Sequence, residues 1–330
     1  MTENATATTT IGKMVRRTIP LVLALFLTQN MAAQLKQFTL EDLNFGGNNY
    51  HNMRPKNMYL RWWGDKLMYQ DAEEWGTVDM KTGSKTAVAT LDKVDAAMGN
   101  GKVASAMNVA FPYPDSPLAL LKNSKERVLY DWKAGKVVWR QPCEGEQYSD
   151  WTAETRAVAF VRDNQLCVTD AEGATRTLTT DGSRDIVYGQ AVHRNEFGIM
   201  EGTFWSPDGK RLAFYRMDQS MVTDYPQVNT FTRIATEEPD KYPMAVMTRH
   251  KVTVGVYDLS TGKTVYLDAG DPTDRYFTNI AWSPDSKTVY MIELNRDQTD
   301  MALRSYDAAS GKRKATLYTE HDDKYVQPMT

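Results

Sequence analysis

The stretch Val252-Thr253-Val254-Gly255-Val256-Tyr257-Asp258-Leu259-Ser260-Thr261-Gly262-Lys263-Thr264-Val265-Tyr266-Leu267 decides the fold of this chain. Apolar and polar residues alternate on both sides of an Asp-x-x-x-Gly segment, the period-two pattern of half-buried strands joined by a hairpin. The turn has a mechanism, because Asp bonds its own downstream backbone and Gly supplies a positive φ. The pattern recurs at Asp79–Gly83, Asp131–Gly135 and Asp307–Gly311, and in shortened form at Asp170-Ala171-Glu172-Gly173.

A second repeat is spaced with the first. Trp205-Ser206-Pro207-Asp208-Gly209 and Trp282-Ser283-Pro284-Asp285-Ser286 each lead into an apolar strand, and Asp150-Trp151 before Ala157–Val161 is a degenerate third copy. The turns at Asp79 and Asp131 lie 52 residues apart and those at Asp258 and Asp307 lie 49 apart, the length of a four-stranded propeller blade. Trp205 and Trp282 are 77 apart, and the excess falls in 217–250, which therefore reads as an insertion. The expected fold is all-β, a β-propeller with blades at about 57–92, 104–142, 147–180, 200–268 and 276–320. An array of blades must close on itself to cover its last face. Asp322–Pro328 reads as the linker into another blade, so the chain is expected to be part of a longer protein.

Composition narrows the function. Of 330 residues, 42% are hydrophobic and 25% charged, with a net charge of −3, which speaks against a nucleic-acid partner. Cys143 and Cys167 are the only cysteines, and both a disulfide and two free thiols are open. The histidines His51, His193, His250 and His321 are scattered, so no metal site is expected. No P-loop or dinucleotide fingerprint is present, and no cofactor is expected. Lys13, Arg16 and Arg17 precede the apolar run Ile19–Leu27 and the small residues Ala32 and Ala33, the layout of a signal peptide over 1–33. Residues 34–330 would then form the propeller part of an exported protein, periplasmic or at the cell surface, with no membrane span once the signal is removed.

Between blades, Glu196 sits in Val192-His193-Arg194-Asn195-Glu196-Phe197-Gly198-Ile199, just before the strand at Gly202–Trp205. A carboxylate there can face a propeller's central channel and hold a charged substrate end; an ordinary solvated Glu is the plain alternative. His193 reads as a packing residue, since no nucleophile stands near it in the sequence. Ser206, followed by Pro207 and Asp208, reads as a turn residue.

These residues resemble the N-terminal propeller of the dipeptidyl peptidase IV family of serine exopeptidases. Phe38–Leu43 with Leu60-Arg61-Trp62-Trp63 is similar to the family's approach to its first blade. Gly189–His193, Glu196–Ile199, Gly202–Pro207, Ala213–Val222 and His250–Gly255 are similar to its prolyl tripeptidyl aminopeptidase branch. The resemblance implies an eight-bladed propeller, about five blades of which are present, joined to a C-terminal α/β-hydrolase domain with a Ser-Asp-His triad. No Gly-x-Ser-x-Gly elbow surrounds any serine, so no catalytic residue is assigned and that domain is expected beyond Thr330. The resemblance further implies that Glu196, with Asn195 beside it, binds the substrate's α-amino group. Dipeptidyl members present two glutamates where Arg194-Asn195-Glu196 has one, which favours release of tripeptides ending in Pro and leaves the dipeptidyl alternative open. Arg194 is a candidate to neutralise Glu196. The family's carbonyl-binding arginine is not placed, because the segment around Lys122–Arg140 is shorter than the family pattern. The expected partner is a peptide with a free N-terminus and Pro at the cleavage position. The 217–250 insertion, carrying Tyr225, Phe231, Tyr242, Met244 and Met247, is expected to support a homodimer by resemblance, or to be an irregular surface loop. A non-catalytic peptide- or protein-binding propeller is the alternative function.

Overall fold

A computed structural model describes residues 37–55, 57–99 and 101–328, and the signal-peptide reading of 1–33 lies outside them. The described residues divide into two compact units, on either side of the boundary between 57 and 58. In the first, helix α1 (Leu40–Leu43) starts at Thr39, whose side chain accepts from the Asp42 N–H while Asp42 accepts from the Thr39 N–H, a reciprocal capping box. Helix α2 (Asn48–Met53) follows.

The second unit is a succession of antiparallel sheets. The first sheet contains β1 (Tyr59–Trp63), β2 (Lys66–Gln70), β3 (Glu74–Val78) and β4 (Lys85–Thr90) in sequence order. Helix α3 (Leu91–Met98) leaves it and buries Val94 and Met98 against both this sheet and the next. The repeat pattern gave no sign of this helix within its all-β reading. The second sheet holds β5 (Leu118–Lys122), β6 (Glu126–Asp131) and β7 (Lys136–Pro142). It has three strands where four were expected; a single bridge between Ala110 and Leu120 stands where the first would run. The third sheet is β8 (Gln147–Trp151), β9 (Val158–Arg162), β10 (Gln165–Thr169) and β11 (Thr175–Thr177).

The fourth sheet departs furthest from expectation. It begins at β12 (Ile186–Tyr188), not near residue 200, and adds β13 (Thr203–Trp205) and β14 (Arg211–Asp218). β12 pairs with the far half of β14 and β13 with its near half. The first strand of this sheet is thus broken between Tyr188 and Thr203, and the excursion carries Asn195 and Glu196. After β14 the chain runs out and back through β15 (Asp224–Tyr225), β16 (Val228–Asn229), β17 (Thr236–Glu237) and β18 (Asp240–Lys241). Their pairings, Tyr225 with Asp240 and Val228 with Glu237, share one register, so the insertion is a single hairpin arm and not an irregular loop. β19 (Lys251–Asp258) and β20 (Lys263–Tyr266) complete the sheet. The fifth sheet is β21 (Arg275–Trp282), β22 (Thr288–Asn295), β23 (Asp300–Asp307) and β24 (Arg313–His321).

The repeats map onto fixed places. Every Asp-x-x-x-Gly turn, and the shortened one, joins the last two strands of a sheet. The Asp258 carboxylate accepts from the N–H groups of Ser260 and Thr261, and Gly262, at φ 68°, donates back to the Asp258 carbonyl. The Trp-Ser-Pro-Asp copies join the first strand to the second: Ser206 donates to Asp208 at 2.6 Å and accepts from the Arg211 N–H, as Ser283 does with Asp285 and the Thr288 N–H. Ser206 is therefore a turn residue, as read.

Tryptophans tie the fourth and fifth sheets each to the one before it. Trp282 donates its indole N–H to the Phe204 carbonyl at 3.0 Å, and Trp205 donates to the Asp150 carbonyl at 3.1 Å. Trp151 occupies the same place at the end of β8, but its buried indole nitrogen has no partner. The second sheet lacks the first strand that would offer the carbonyl. Apolar contacts follow the same order: Tyr215, Val254 and Val256 pack with Phe277, Val289 and Met291, while Leu212 and Phe214 pack with Ala159 and Leu166. Cys143 and Cys167 are buried free thiols, pushed up in pKa by burial.

The inter-sheet bonds have a measurable signature. Trp205→Phe strands a carbonyl acceptor whereas Trp151→Phe removes an indole that has no partner. In urea unfolding, Trp205→Phe is expected to cost about 1 kcal/mol more than Trp151→Phe, and equal costs would contradict the pairing.

Candidate functional site

The interruption of the fourth sheet's first strand is built on strained backbone. His193, Arg194 and Asn195 take φ of 54°, 57° and 62° in succession, Glu196 returns to extended geometry, and Phe197 is again left-handed at 56°. Left-handed backbone costs an L-residue about 1–2 kcal/mol, and none of these four is glycine. Such a turn persists only if its surroundings hold it.

His193 provides the hold. Its side chain is buried, and its Nε2 accepts the Phe277 N–H from β21 at 3.2 Å. Its Nδ1 lies 3.0 Å from His250 Nε2 and 3.1 Å from Arg249 Nη2. Burial, with His250 and Arg249 beside it, holds His193 well below the usual histidine range, and burial with Arg249 pushes His250 down to about 4. Both rings are therefore neutral. His193 thus anchors the turn through burial and hydrogen bonds.

Several cavities border this turn, and the two residues assigned to the site line none in common. Asn195 lines a cavity of about 510 Å³ together with Tyr148, Asp150, Gln190, Glu201 and Thr203. Glu196 lines a smaller cleft of about 190 Å³ with Arg194, Tyr242, Arg249, Tyr276 and Arg296. Both residues are exposed. Arg194 does not neutralise Glu196 as a direct ion pair: it bonds Asp240 at 3.2 Å and stacks over Tyr242. Among the described residues no cation lies within ion-pair distance of the Glu196 carboxylate. In the segment where the carbonyl-binding arginine was sought, Arg127 is bonded to Gln141 and Glu146 and Arg140 to Glu126.

The larger cavity was not read from the sequence. Its lining holds the carboxyl groups of Asp150 and Glu201 and no Lys, Arg or His. Asp150 is fixed at both ends by the fourth sheet, its carbonyl by Trp205 and its Oδ2 by the Thr203 hydroxyl at 2.9 Å. A register shift between Gln147 and Asp150, with Tyr148 at φ 51°, aims the side chain. Burial pushes the Asp150 carboxyl up to about 6 against the Thr203 hydrogen bond, and the Glu201 charge adds to the rise. One signal was available: the residue before the repeat tryptophan is Phe204 and Ala281 in the other copies, and a charged residue only at Asp150.

Sheet order, the interrupted strand and the turn that leaves it define a repeat-built β protein with its candidate site beside one inner strand. The chain belongs to the family described as dipeptidyl peptidase IV (DPP IV) N-terminal region, whose model matches residues 122–330. It is 31% identical over 183 residues to a probable dipeptidyl-aminopeptidase B of Phaeosphaeria nodorum, covering 49% of this chain and 20% of that protein. It is 30% identical over 170 residues to the Talaromyces stipitatus protein of the same name, covering 46% and 19%. Among solved structures, a putative dipeptidyl aminopeptidase IV from Bacteroides ovatus superposes with a TM-score of 0.78 and 42% identity, over 89% of this chain and 41% of that one. Porphyromonas gingivalis dipeptidyl peptidase 4 shares the fold, with a TM-score of 0.69 at 20% identity, over 89% of this chain and 43% of that one. The chain spans about a fifth of the length of these two curated relatives. No helix among the described residues is long and apolar enough to cross a membrane.

The Asp150 carboxyl gives a signed pH prediction. Its folded pKa, about 6, lies above the ordinary 3.8, so its stabilising proton is fully present below 3.8 and lost as pH rises through 6. Asp150→Asn should therefore gain about 2 kcal/mol of unfolding free energy relative to wild type between pH 4 and pH 7.5. A constant difference across that range in urea melts would refute the burial argument.

Proposed function

We propose that this chain is the propeller part of an exported prolyl-specific serine exopeptidase, with about five of eight blades in the sequence. It gates access to the active site and anchors the substrate's α-amino group at Glu196. The observation that carries the reading is the strained turn itself, which leaves a broken inner strand and presents a carboxylate with no ion-pair partner. A carboxylate so placed takes an ammonium by a charge-assisted hydrogen bond, stronger than a neutral one. Fixing the amine fixes how many residues reach the nucleophile. One carboxylate, where dipeptidyl relatives are expected to present two, favours cutting after the third residue, Pro, over the second.

The nucleophile would come from a hydrolase domain outside this sequence, through serine attack on the carbonyl after Pro and hydrolysis of the acyl-enzyme. No Gly-x-Ser-x-Gly elbow occurs in the chain, and no described serine is hydrogen-bonded to a histidine. The 224–241 arm presents Phe231, fully exposed, with Ile234 and Val228, an apolar tip suited to a second copy. The competing reading is a propeller that binds peptides without cutting them.

The purified 330-residue chain should not turn over a chromogenic Xaa-Xaa-Pro substrate, and turnover blocked by a serine-reactive inhibitor would contradict the proposal. The reading frame past codon 330 should encode further blades and a Gly-x-Ser-x-Gly elbow; a stop codon there favours the binding module. In that longer protein, Glu196→Ala should lower kcat/KM for free-amine peptides about 50-fold. An unchanged kcat/KM rejects the anchoring role.

A further inference from the structure

Arg249 is the buried charge that nothing else in the fold accounts for. It lines the Glu196 cleft at 8% exposure, and no carboxylate among the described residues lies within 4 Å of its guanidinium. The two other arginines of the cleft are neutralised, Arg194 by Asp240 at 3.2 Å and Arg296 by Asp274 at 2.8 Å. Arg249 rests on the Tyr276 ring, 3.8 Å from its centroid, and its Nε is buried with no hydrogen-bond partner. Its one polar neighbour within bonding distance is His193 Nδ1, 3.1 Å from Nη2. That nitrogen is shared with His250 Nε2 at 3.0 Å. The guanidinium therefore meets one nitrogen of a neutral ring and no counter-charge. A buried cation left without a counter-charge is costly, and an incoming carboxylate recovers that cost. Within one small cleft the molecule thus sets a carboxylate without an ion pair beside a guanidinium without one.

We propose that this cleft reads the first residue of the peptide. Glu196 takes the α-ammonium, and Arg249 takes the side-chain carboxylate of an N-terminal aspartate or glutamate. The inference rests on the amine-anchor reading of Glu196 and adds to it a substrate class, peptides that begin with an acidic residue. Arginine suits the task because its planar fork matches a carboxylate and keeps its charge when buried. The size of the cleft, about 190 Å³, suits one residue and not a longer segment.

The test is calorimetric titration of the purified chain with three peptides, each a C-terminal amide so that the side chain carries the only carboxylate. They are Asp-Ala-Pro, Asn-Ala-Pro and N-acetyl-Asp-Ala-Pro. Asp-Ala-Pro should bind roughly tenfold more tightly than Asn-Ala-Pro. In Arg249→Gln the two should bind alike. Equal affinities for the Asp and Asn peptides in the wild type overturn the proposal, and this comparison decides it even if Arg249→Gln does not fold. Acetylation that leaves affinity unchanged overturns the amine anchor instead, and the Asp-over-Asn ratio then judges Arg249 alone. Absence of binding by all three overturns both.

Discussion

The indole N–H of one sheet donating to a first-strand carbonyl of the sheet before it is the constraint on which the rest of the molecule depends. Trp282 reaches Phe204 and Trp205 reaches Asp150, so the inner strands of three successive sheets are held at a fixed offset. Apolar faces alone would let the sheets slide, because the hydrophobic effect is non-directional. The directional bond sets the register, and packing of Phe214, Tyr215 and Phe277 between sheets supplies the bulk of the stabilisation. The missing strand of the second sheet is visible in the same terms, as the buried Trp151 indole that finds no acceptor.

That constraint also builds the site. The Trp205 bond and the Thr203 hydroxyl both end on Asp150, so the contact that aligns the third and fourth sheets also turns a carboxyl into the larger cavity. On the other side of the same broken strand, His193 bonds β21 and His250 together and supports three consecutive left-handed residues. Strain at that turn is tolerated because burying His193 and satisfying both its nitrogens over-determines the conformation. The result is a pair of adjacent cavities of different character: one lined by acids without a base, the other mixing one carboxylate with an unneutralised guanidinium.

Much of this was legible in the sequence because its repeats are local. Each Asp-x-x-x-Gly turn and each Trp-Ser-Pro-Asp step is a short stretch whose own side chains satisfy its own backbone, and each falls at the strand junction that its pattern implies. Glu196 was legible as a carboxylate next to a strand. What escaped reading depends on partners distant in the chain. β12 is three residues long and pairs with the far end of β14, so its membership of the fourth sheet has no local mark. The hairpin arm is split into two-residue pieces, too short for a period to register. Helix α3 sits in a connection and places only two positions, Val94 and Met98, fully in the core. The isolation of Arg249 depends on pairings between residues distant in the chain, which commit Asp240 to Arg194 and Asp274 to Arg296.

The central claim is that the turn at Glu196 receives the amino end of a peptide. A crystal structure of the chain with Ala-Ala-Pro amide tests it directly, because the two cavities offer rival seats for the same charge. The account predicts the ammonium nitrogen within hydrogen-bond distance of the Glu196 carboxylate, in the cleft that Arg249 lines. An ammonium seated instead on Asp150 and Glu201 in the larger cavity would contradict it.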